Sequence, residues 1–357
     1  MNDKIAVLVT GIGGGGNGEQ ILKALRLAGD LNLHLIGTDM SALTAGHRLV
    51  DAFYEVPGAR DPQYGERLFE ILRKEEVRFI FHGSEPELAF ISENRETIEA
   101  LGVITCLNNR DLMRLCSNKV ETYRTLEALG FIVPRYAKIE SIQNLKAIDF
   151  FPVVLKPNTG SGGSSHVHIA RDREELMLLG SYLLKLKLDL VAQAYVGHSS
   201  DEFTIGVDSN RDAEVLGSIV IKRAIGNAMS TRSRIPSLDG ETSLVISSGF
   251  SQGWVCRESR LQEQAEALAR QLGSTGPLNI QCRWVDGQLL LMEINPRLSG
   301  TTSLRAMAGY NEPVMHICHQ LYGTPWHRNY QEKLILRALE EVEVKDIKKA
   351  EAVLCQI

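Results

Sequence analysis

The chain has 357 residues, 44% apolar and 23% charged, enough to bury two or three cores as a soluble globular protein. Its net charge of −5, without a long lysine or arginine cluster, excludes an overall basic field, so nucleic acid is not an expected partner. Cys106, Cys116, Cys256, Cys282, Cys318 and Cys355 show no CxxC spacing and no secretory leader precedes the first strand, which predicts a reducing cytoplasm; the longest apolar stretch, Leu176 to Val191, is broken by Lys185, Lys187 and Asp189 and predicts no membrane span.

The first third alternates strands and helices. Ile5 to Val9 predicts a buried strand, Gly18 to Leu27 a helix, and His34 to Gly37 a second strand ending at Asp39. A helix from Pro62 to Glu75, a strand from Val77 to Phe81 and a helix from Glu85 to Leu101 continue the pattern toward a small parallel sheet. Gly11-Ile12-Gly13-Gly14-Gly15-Gly16 satisfies GxGxxG, and Asp39 stands where a ribose-binding acid would, which taken alone spells an NAD-dependent dehydrogenase. A run so rich in glycine meets many spacings, and nothing downstream supplies a hydride-transfer site. A carboxylate or other substrate against these amides is the stronger expectation.

A new unit opens between Cys116 and Pro134. Asn118 caps a helix with Glu121 as its capping-box partner, Gly130 and Pro134 stop it, and Lys119 falls in its first turn. Phe151 to Pro157 then forms a strand leading into Asn158-Thr159-Gly160-Ser161-Gly162-Gly163-Ser164-Ser165, with His166 to Ala170 returning. A Walker A loop would run into a helix and end in GK[ST], so the P-loop fold is excluded. A glycine loop between strands can instead close over outer phosphates, with Lys156 neutralising charge from the adjacent strand. Leu190 to Val196 and Asp201 to Val207 are further strands; a strand backbone can meet an adenine edge, and Glu202 could accept ribose hydroxyls.

Ile280 to Trp284, the turn Asp286-Gly287, and the run from Gln288 through Met292-Glu293-Ile294-Asn295-Pro296-Arg297 read as a hairpin. Side chains two apart on a strand share a face, so Glu293, Asn295 and Arg297 converge. Oxygen donors beside an arginine suit a magnesium-bound polyphosphate, which reads as an ATP site. A three-residue loop with Gly287 as the left-handed bulge residue puts Gln281 on the face of Glu293; a two-residue loop puts it opposite. The expectation here is three, making Gln281 the third oxygen ligand.

Elsewhere, Lys222-Arg223, Arg232, Arg234 and Arg305 divide evenly between a substrate carboxylate partner and ordinary surface. His316 and His319 sit three apart without a second ligand pair, which predicts a structural helix rather than zinc. His166 and His168 share one strand face, where they could meet substrate.

Taken in order, the lysine in the first turn of a capped helix, Val-Leu-Lys-Pro with a glycine-serine loop, Gln-Ala-Tyr-Val followed by Asp-Glu-Phe-Thr, and Gln281 with Glu-Ile-Asn-Pro-Arg resemble the ATP-grasp superfamily, most closely its carbamoyl-phosphate-synthase-large-subunit-like branch. The likeness spans nearly the whole chain. It implies an α/β fold, α+β in the ATP-binding part, with a pre-ATP-grasp Rossmann-like parallel sheet at residues 1–115, a lid subdomain with the glycine loop at 116–195, and a C-terminal subdomain with the metal site at 196–357. It implies phosphate contacts from Lys119 and Lys156, a mobile loop of Gly160, Ser161, Gly162, Gly163, Ser164 and Ser165, and a nucleotide-binding strand of Gln193, Ala194, Tyr195 and Val196 whose adenine contacts come from the backbone of Ala194 and Val196. Glu202 would meet the ribose. Gln281, Glu293 and Asn295 would hold two Mg²⁺ ions, with Mn²⁺ the substitute, and Arg297 would steady the transferred phosphoryl group. The chain departs from the pattern at Ala194, where many relatives carry glutamate, and in having one such unit where a full carbamoyl phosphate synthetase large subunit has two.

The implied activity is ADP-forming carboxylate–amine ligation through an acyl phosphate. The alternatives are release of the acyl phosphate itself, a non-catalytic nucleotide sensor, or the dehydrogenase. Small carboxylate and amine substrates and a homodimer are the expected partners.

Overall fold

The computed structural model describes residues 4–160, 165–226, 228–326 and 328–342. Ser161, Gly162, Gly163 and Ser164, the centre of the expected loop, lie outside the described residues. The chain divides into two compact units. One comprises the residues to Leu107 with Leu298–Gln331 and the chain from Arg337, the other Asn108–Arg297 with Glu332–Leu336.

The first unit opens with β1 (Ile5–Thr10), buried at every position as befits a central strand covered on both faces. It continues through α1 (Asn17–Arg26), β2 (Leu33–Asp39), β3 (Ala52–Glu55), α2 (Tyr64–Lys74), β4 (Phe79–Phe81), α3 (Glu85–Glu93), α4 (Arg95–Glu99) and β5 (Ile104–Thr105). The strands pair in parallel in the order β3-β2-β1-β4-β5. The predicted helix from Glu85 to Leu101 is two helices, parted at Asn94, whose Nδ2 turns back to the Phe90 carbonyl at 2.9 Å.

The glycines divide their work differently from a dinucleotide fingerprint. A Cβ on Gly18 would stand 2.4 Å from the Gly11 carbonyl oxygen, so Gly18, not Gly16, permits the close approach of α1 to β1. Asp39 accepts hydrogen bonds from the Gly13 amide at 2.8 Å and the Ser41 amide at 3.3 Å. Its carboxylate thus fastens the glycine loop, which removes the basis for reading it as a ribose ligand.

The second unit begins with α5 (Arg110–Ser117) and α6 (Lys119–Ala128). Leu112 of α5 belongs to the second unit's core, so the first unit ends at Leu107 and not at the expected residue 115. β6 (Tyr136–Ile139), α7 (Ile142–Ala147), β7 (Val153–Pro157), β8 (His168–Ala170), α8 (Arg173–Lys185) and β9 (Leu190–Ala194) form a four-stranded antiparallel sheet, order β6-β9-β7-β8, over a core that includes Leu145, Leu155, Leu176 and Leu183. There follow β10 (Glu202–Ser209), β11 (Val215–Arg223), β12 (Thr231–Pro236), β13 (Ser243–Ser247), β14 (Gly253–Cys256), α9 (Ser259–Gln271), β15 (Leu278–Val285) and β16 (Gln288–Asn295). The hairpin β12–β13 packs Leu244 and Ile246 on Ile169 of the four-stranded sheet.

β16, β15, β10, β11 and β14 make an antiparallel sheet, completed by β17 (Lys333–Ile335) on β14. Phe203, Ile205, Val207, Ile280, Cys282, Leu291 and Ile294 share a core with Leu261, Ala265 and Leu268 of α9. The opposite face carries Glu202, Thr204, Asn279, Gln281 and Arg283, as a strict period of two requires. Between β16 and β17 the chain leaves this unit: α10 (Thr302–Met307) and α11 (Glu312–Tyr322) belong to the first unit, where Leu298 and Ile317 join the core of β1 and α1. The expected third domain of residues 196–357 is therefore divided between the two units.

Candidate functional site

The site residues of the second unit are held by its strands and by one buried asparagine. The Asn118 side chain caps α6 by accepting from the Glu121 amide at 3.1 Å. The carboxylate of Glu121 turns to Arg124 at 2.7 Å, so only one half of the capping box forms. Asn158, fully buried just after β7, accepts from the Lys119 amide at 3.1 Å through its carbonyl and from the Val120 amide at 2.9 Å through Oδ1. Its Nδ2 donates to Asp189 at 2.7 Å. This clamp fixes Lys119 at the start of α6 beside the end of the strand that carries Lys156.

Lys156 is 8% exposed, and its Nζ donates to Gln193 Oε1 at 2.8 Å and to the Met292 carbonyl at 3.4 Å. Burial brings its ammonium group down to about 8, against the opposing pull of the Glu293 carboxylate. The buried Gln193 side chain also meets the Tyr123 hydroxyl.

The hairpin turn corrects one expectation. Val285 pairs with Gln288, leaving a two-residue turn whose Asp286 (φ 50°) and Gly287 (φ 77°) are both left-handed, as a type I′ turn demands. With a regular ladder that turn would send Gln281 and Glu293 to opposite faces. A bulge intervenes: Cys282 pairs with Leu291, Gln281 pairs with Glu293, and Met292 is the extra residue. Gln281 and Glu293 thus stand opposite each other on one face, and the Met292 carbonyl accepts from the Tyr123 hydroxyl at 2.8 Å as well as from Lys156.

Asn295 pairs with Asn279, whose Oδ1 accepts from Thr204 Oγ1 at 2.8 Å. Arg297 folds back on Asn295, its amide donating to that residue's carbonyl at 2.8 Å and its Nη2 to Oδ1 at 3.4 Å. Among the described residues no three His, Cys, Asp or Glu side chains come together. The donor set is one carboxylate with neutral amide oxygens, which fits a hard cation that completes its shell with phosphate oxygens and water.

Several anticipated residues are engaged elsewhere. The Ala194 amide donates to the Arg135 carbonyl at 2.7 Å, the Val196 carbonyl accepts from Arg283 Nη1 at 2.8 Å, and the Tyr195 hydroxyl accepts from the Val245 amide at 3.0 Å. Glu202 is 2% exposed and ion-paired with Arg223 at 2.7 Å and Arg283 at 3.1 Å, with Ser247 Oγ donating to it at 2.7 Å. Despite its burial, these cations hold its carboxyl below the ordinary value. A ribose contact from Glu202 would require this cluster to open. Gly160 and Ser165 flank the loop and are exposed.

Arg223 is accounted for by Glu202, and Arg305 is buried against Glu312 at 2.7 Å, so neither is surface. Arg232 and Arg234 are exposed on β12; burial, then His166 and Arg232, lower the His168 imidazole. His316 packs edge-on to Trp326 with ring centroids 4.9 Å apart. Tyr123, Asn158, Asn279 and Arg283 were not anticipated. Asn279, two positions before Gln281, had a readable strand signal; the others act only through distant partners.

A family model described as ATP-grasp in the biosynthetic pathway with Ter operon matches residues 247–343, and one described as PylC-like, N-terminal domain, matches residues 7–107. The L-amino acid ligase of Bacillus licheniformis superposes with a TM-score of 0.63 at 18% identity, over 90% of this chain and 75% of that one. The chain has the ATP-grasp fold. Its fold is likewise similar to the N5-carboxyaminoimidazole synthetase of Staphylococcus aureus, with a TM-score of 0.62 at 14% identity over 94% of this chain and 82% of that one. An uncharacterized protein, y4rH, from Sinorhizobium fredii is 31% identical over 192 residues, 52% of the ATP-grasp chain and 37% of the relative. The carbamoyl phosphate synthase large chain of Saccharolobus islandicus is 24% identical over 242 residues, 66% of this chain and 21% of that protein. The aligned part of the ATP-grasp chain thus spans well under half the length of these curated relatives.

Proposed function

We propose that this ATP-grasp chain is an ADP-forming ligase that activates a carboxylate with the γ-phosphate of ATP and joins it to an amine. The observation that carries the reading is the Met292 bulge, which sets Gln281 opposite Glu293 on adjacent strands while the Met292 carbonyl accepts from the buried ammonium of Lys156. A phosphoryl transfer needs such an arrangement more than it needs a nucleophilic side chain.

Gln281, Glu293 and Asn295 would hold magnesium, which supplies charge neutralisation for the phosphoryl oxygens. Lys119 and Lys156 would position the triphosphate, with Gln193 beside Lys156 on the nucleotide-binding strand. Arg297 would release Asn295 and turn to the carboxylate or acyl phosphate.

The test is ADP release across pairs of carboxylates and amines, with mass spectrometry of the product. Ligation predicts ADP that requires a carboxylate and an amide-linked product. With hydroxylamine replacing the amine, a hydroxamate would trap the acyl phosphate. ADP formation with bicarbonate and ammonia but no amide would favour release of the acyl phosphate, and nucleotide binding without substrate-dependent ADP would leave only a sensor. A homodimer is the expected assembly, and light scattering on the eluting peak tests it.

A further inference from the structure

The parallel sheet of the first unit reverses its strand order between β1 and β4, the position at which open α/β sheets leave a crevice at the carboxyl ends of their strands. Glu87 of α3 stands there, buried, with Ser84 Oγ donating to it at 2.8 Å. A Cβ on Gly11 (φ +57°) would lie 2.5 Å from Glu87 Oε2, so the glycine leaves the space that the carboxylate fills. Burial raises the Glu87 carboxyl, and the charge acting on it is another carboxylate, Asp39. Glu85 lies exposed in the same first turn of α3.

Two hydroxyls at this end of the sheet are fully buried and have no hydrogen-bond partner among the described residues. The Glu87 charge adds to burial in raising the Tyr64 phenol, so the hydroxyl lies within electrostatic reach of that carboxylate. Thr38 Oγ1 belongs to the strand position paired with Thr10, and Thr10 Oγ1 accepts from the Gly83 amide at 3.3 Å and meets Glu87. Buried polar atoms of this kind carry a desolvation cost that a bound group would remove.

We propose that this crevice binds the ammonium group of an amine substrate, with Glu87 at its floor and Glu85 at its rim. The assignment rests on the ligase reading for its role but not for its binding chemistry. An anion would meet Glu87 and Asp39, whereas a cation supplies the counter-charge that favours the ionised form of Glu87 against its burial and against Asp39. An ammonium offers three donors and one positive charge to carboxylate and hydroxyl oxygens.

The test is calorimetric titration of the full chain without nucleotide, at constant ionic strength, with methylamine, glycine, L-lysine and 1,4-diaminobutane, each against its N-acetyl counterpart. At least one free amine binds and its acetylated form does not. Glu87→Gln weakens that binding about tenfold or more, the loss expected for a charge-assisted hydrogen bond. Tyr64→Phe keeps the ring in the core and weakens it as well, so a folding failure of Glu87→Gln does not remove the test. No discrimination between free and acetylated amines, including no binding by any, overturns the proposal, as does wild-type affinity in both Glu87→Gln and Tyr64→Phe. MgADP titrated in parallel reads the second unit, so failure of nucleotide binding would sink the ligase reading while leaving the amine result to stand or fall separately.

Discussion

Lys156 combines burial with a role that needs its charge. In the unfolded chain its ammonium titrates near the usual 10.5, and in the folded protein at about 8. Between these values the unfolded state binds more protons, so this residue makes stability rise as pH climbs from about 8 toward 10.5. Denaturant midpoints of the nucleotide-free protein across that range check the sign, and Lys156→Met removes this part of the slope. Polyphosphate favours the charged form, so nucleotide binding at pH 9 takes up a proton and weakens as pH rises further. Calorimetry in buffers of different ionisation enthalpy reads the uptake. In turnover, Lys156→Met is expected to lower kcat about 10²–10³-fold, the scale of losing one preorganised donor to a developing charge. Tyr123 has a lesser task. Tyr123→Phe removes the hydroxyl bond to the Met292 carbonyl and lowers stability by about 1 kcal/mol, measured by denaturant unfolding.

At the scale of elements, the β15–β16 hairpin shows how register is decided. The Asp286-Gly287 turn was legible as a hairpin signal, and the alternation on β15 was legible too. The loop length expected from them was wrong, because the residue that restores Glu293 to the face of Gln281 is an extra Met292 inside the ladder. Its carbonyl is held by Tyr123 and Lys156, more than a hundred positions away in sequence. The buried cluster on β10, β11 and β15 has the same character. Glu202, Arg223 and Arg283 are 2%, 6% and 3% exposed, and removing Glu202 leaves two desolvated cations. Glu202→Gln is expected to destabilise the fold by about 3–5 kcal/mol, read as a shift of the denaturant midpoint. If that variant keeps wild-type stability but loses nucleotide affinity, Glu202 serves the ribose after all.

At the scale of the whole molecule, the chain crosses between its units more than once. Leu298 and Ile317 return to the core of the first unit, and Lys333–Ile335 adds the edge strand β17 to the sheet of the second. A chain ended after Arg297 therefore loses apolar burial from a core built on Ile5 to Phe81, far upstream in sequence, at about 1.5–3 kcal/mol for each large apolar side chain removed. Hydrogen exchange is the measurement: amides of β1 and α1 are expected to lose protection in that truncated chain, while those of β7 and β9 keep theirs.

What the sequence determined by itself was local: the βαβ alternation, the Asn118 cap, the strand–loop–strand around Lys156 and the oxygen-donor run ending at Arg297. Those features rest on periods of two and 3.6 and on single-residue turn and cap chemistry, which act over a few positions. Only the tertiary structure decided that Asp39 fastens a loop, that Glu202 and Arg305 are buried ion pairs, that a bulge sets the Gln281–Glu293 pairing, and that residues 298–331 belong with the first sheet. Each of those outcomes depends on which distant group occupies the neighbouring space, and burial makes that choice through desolvation and packing that no local pattern records.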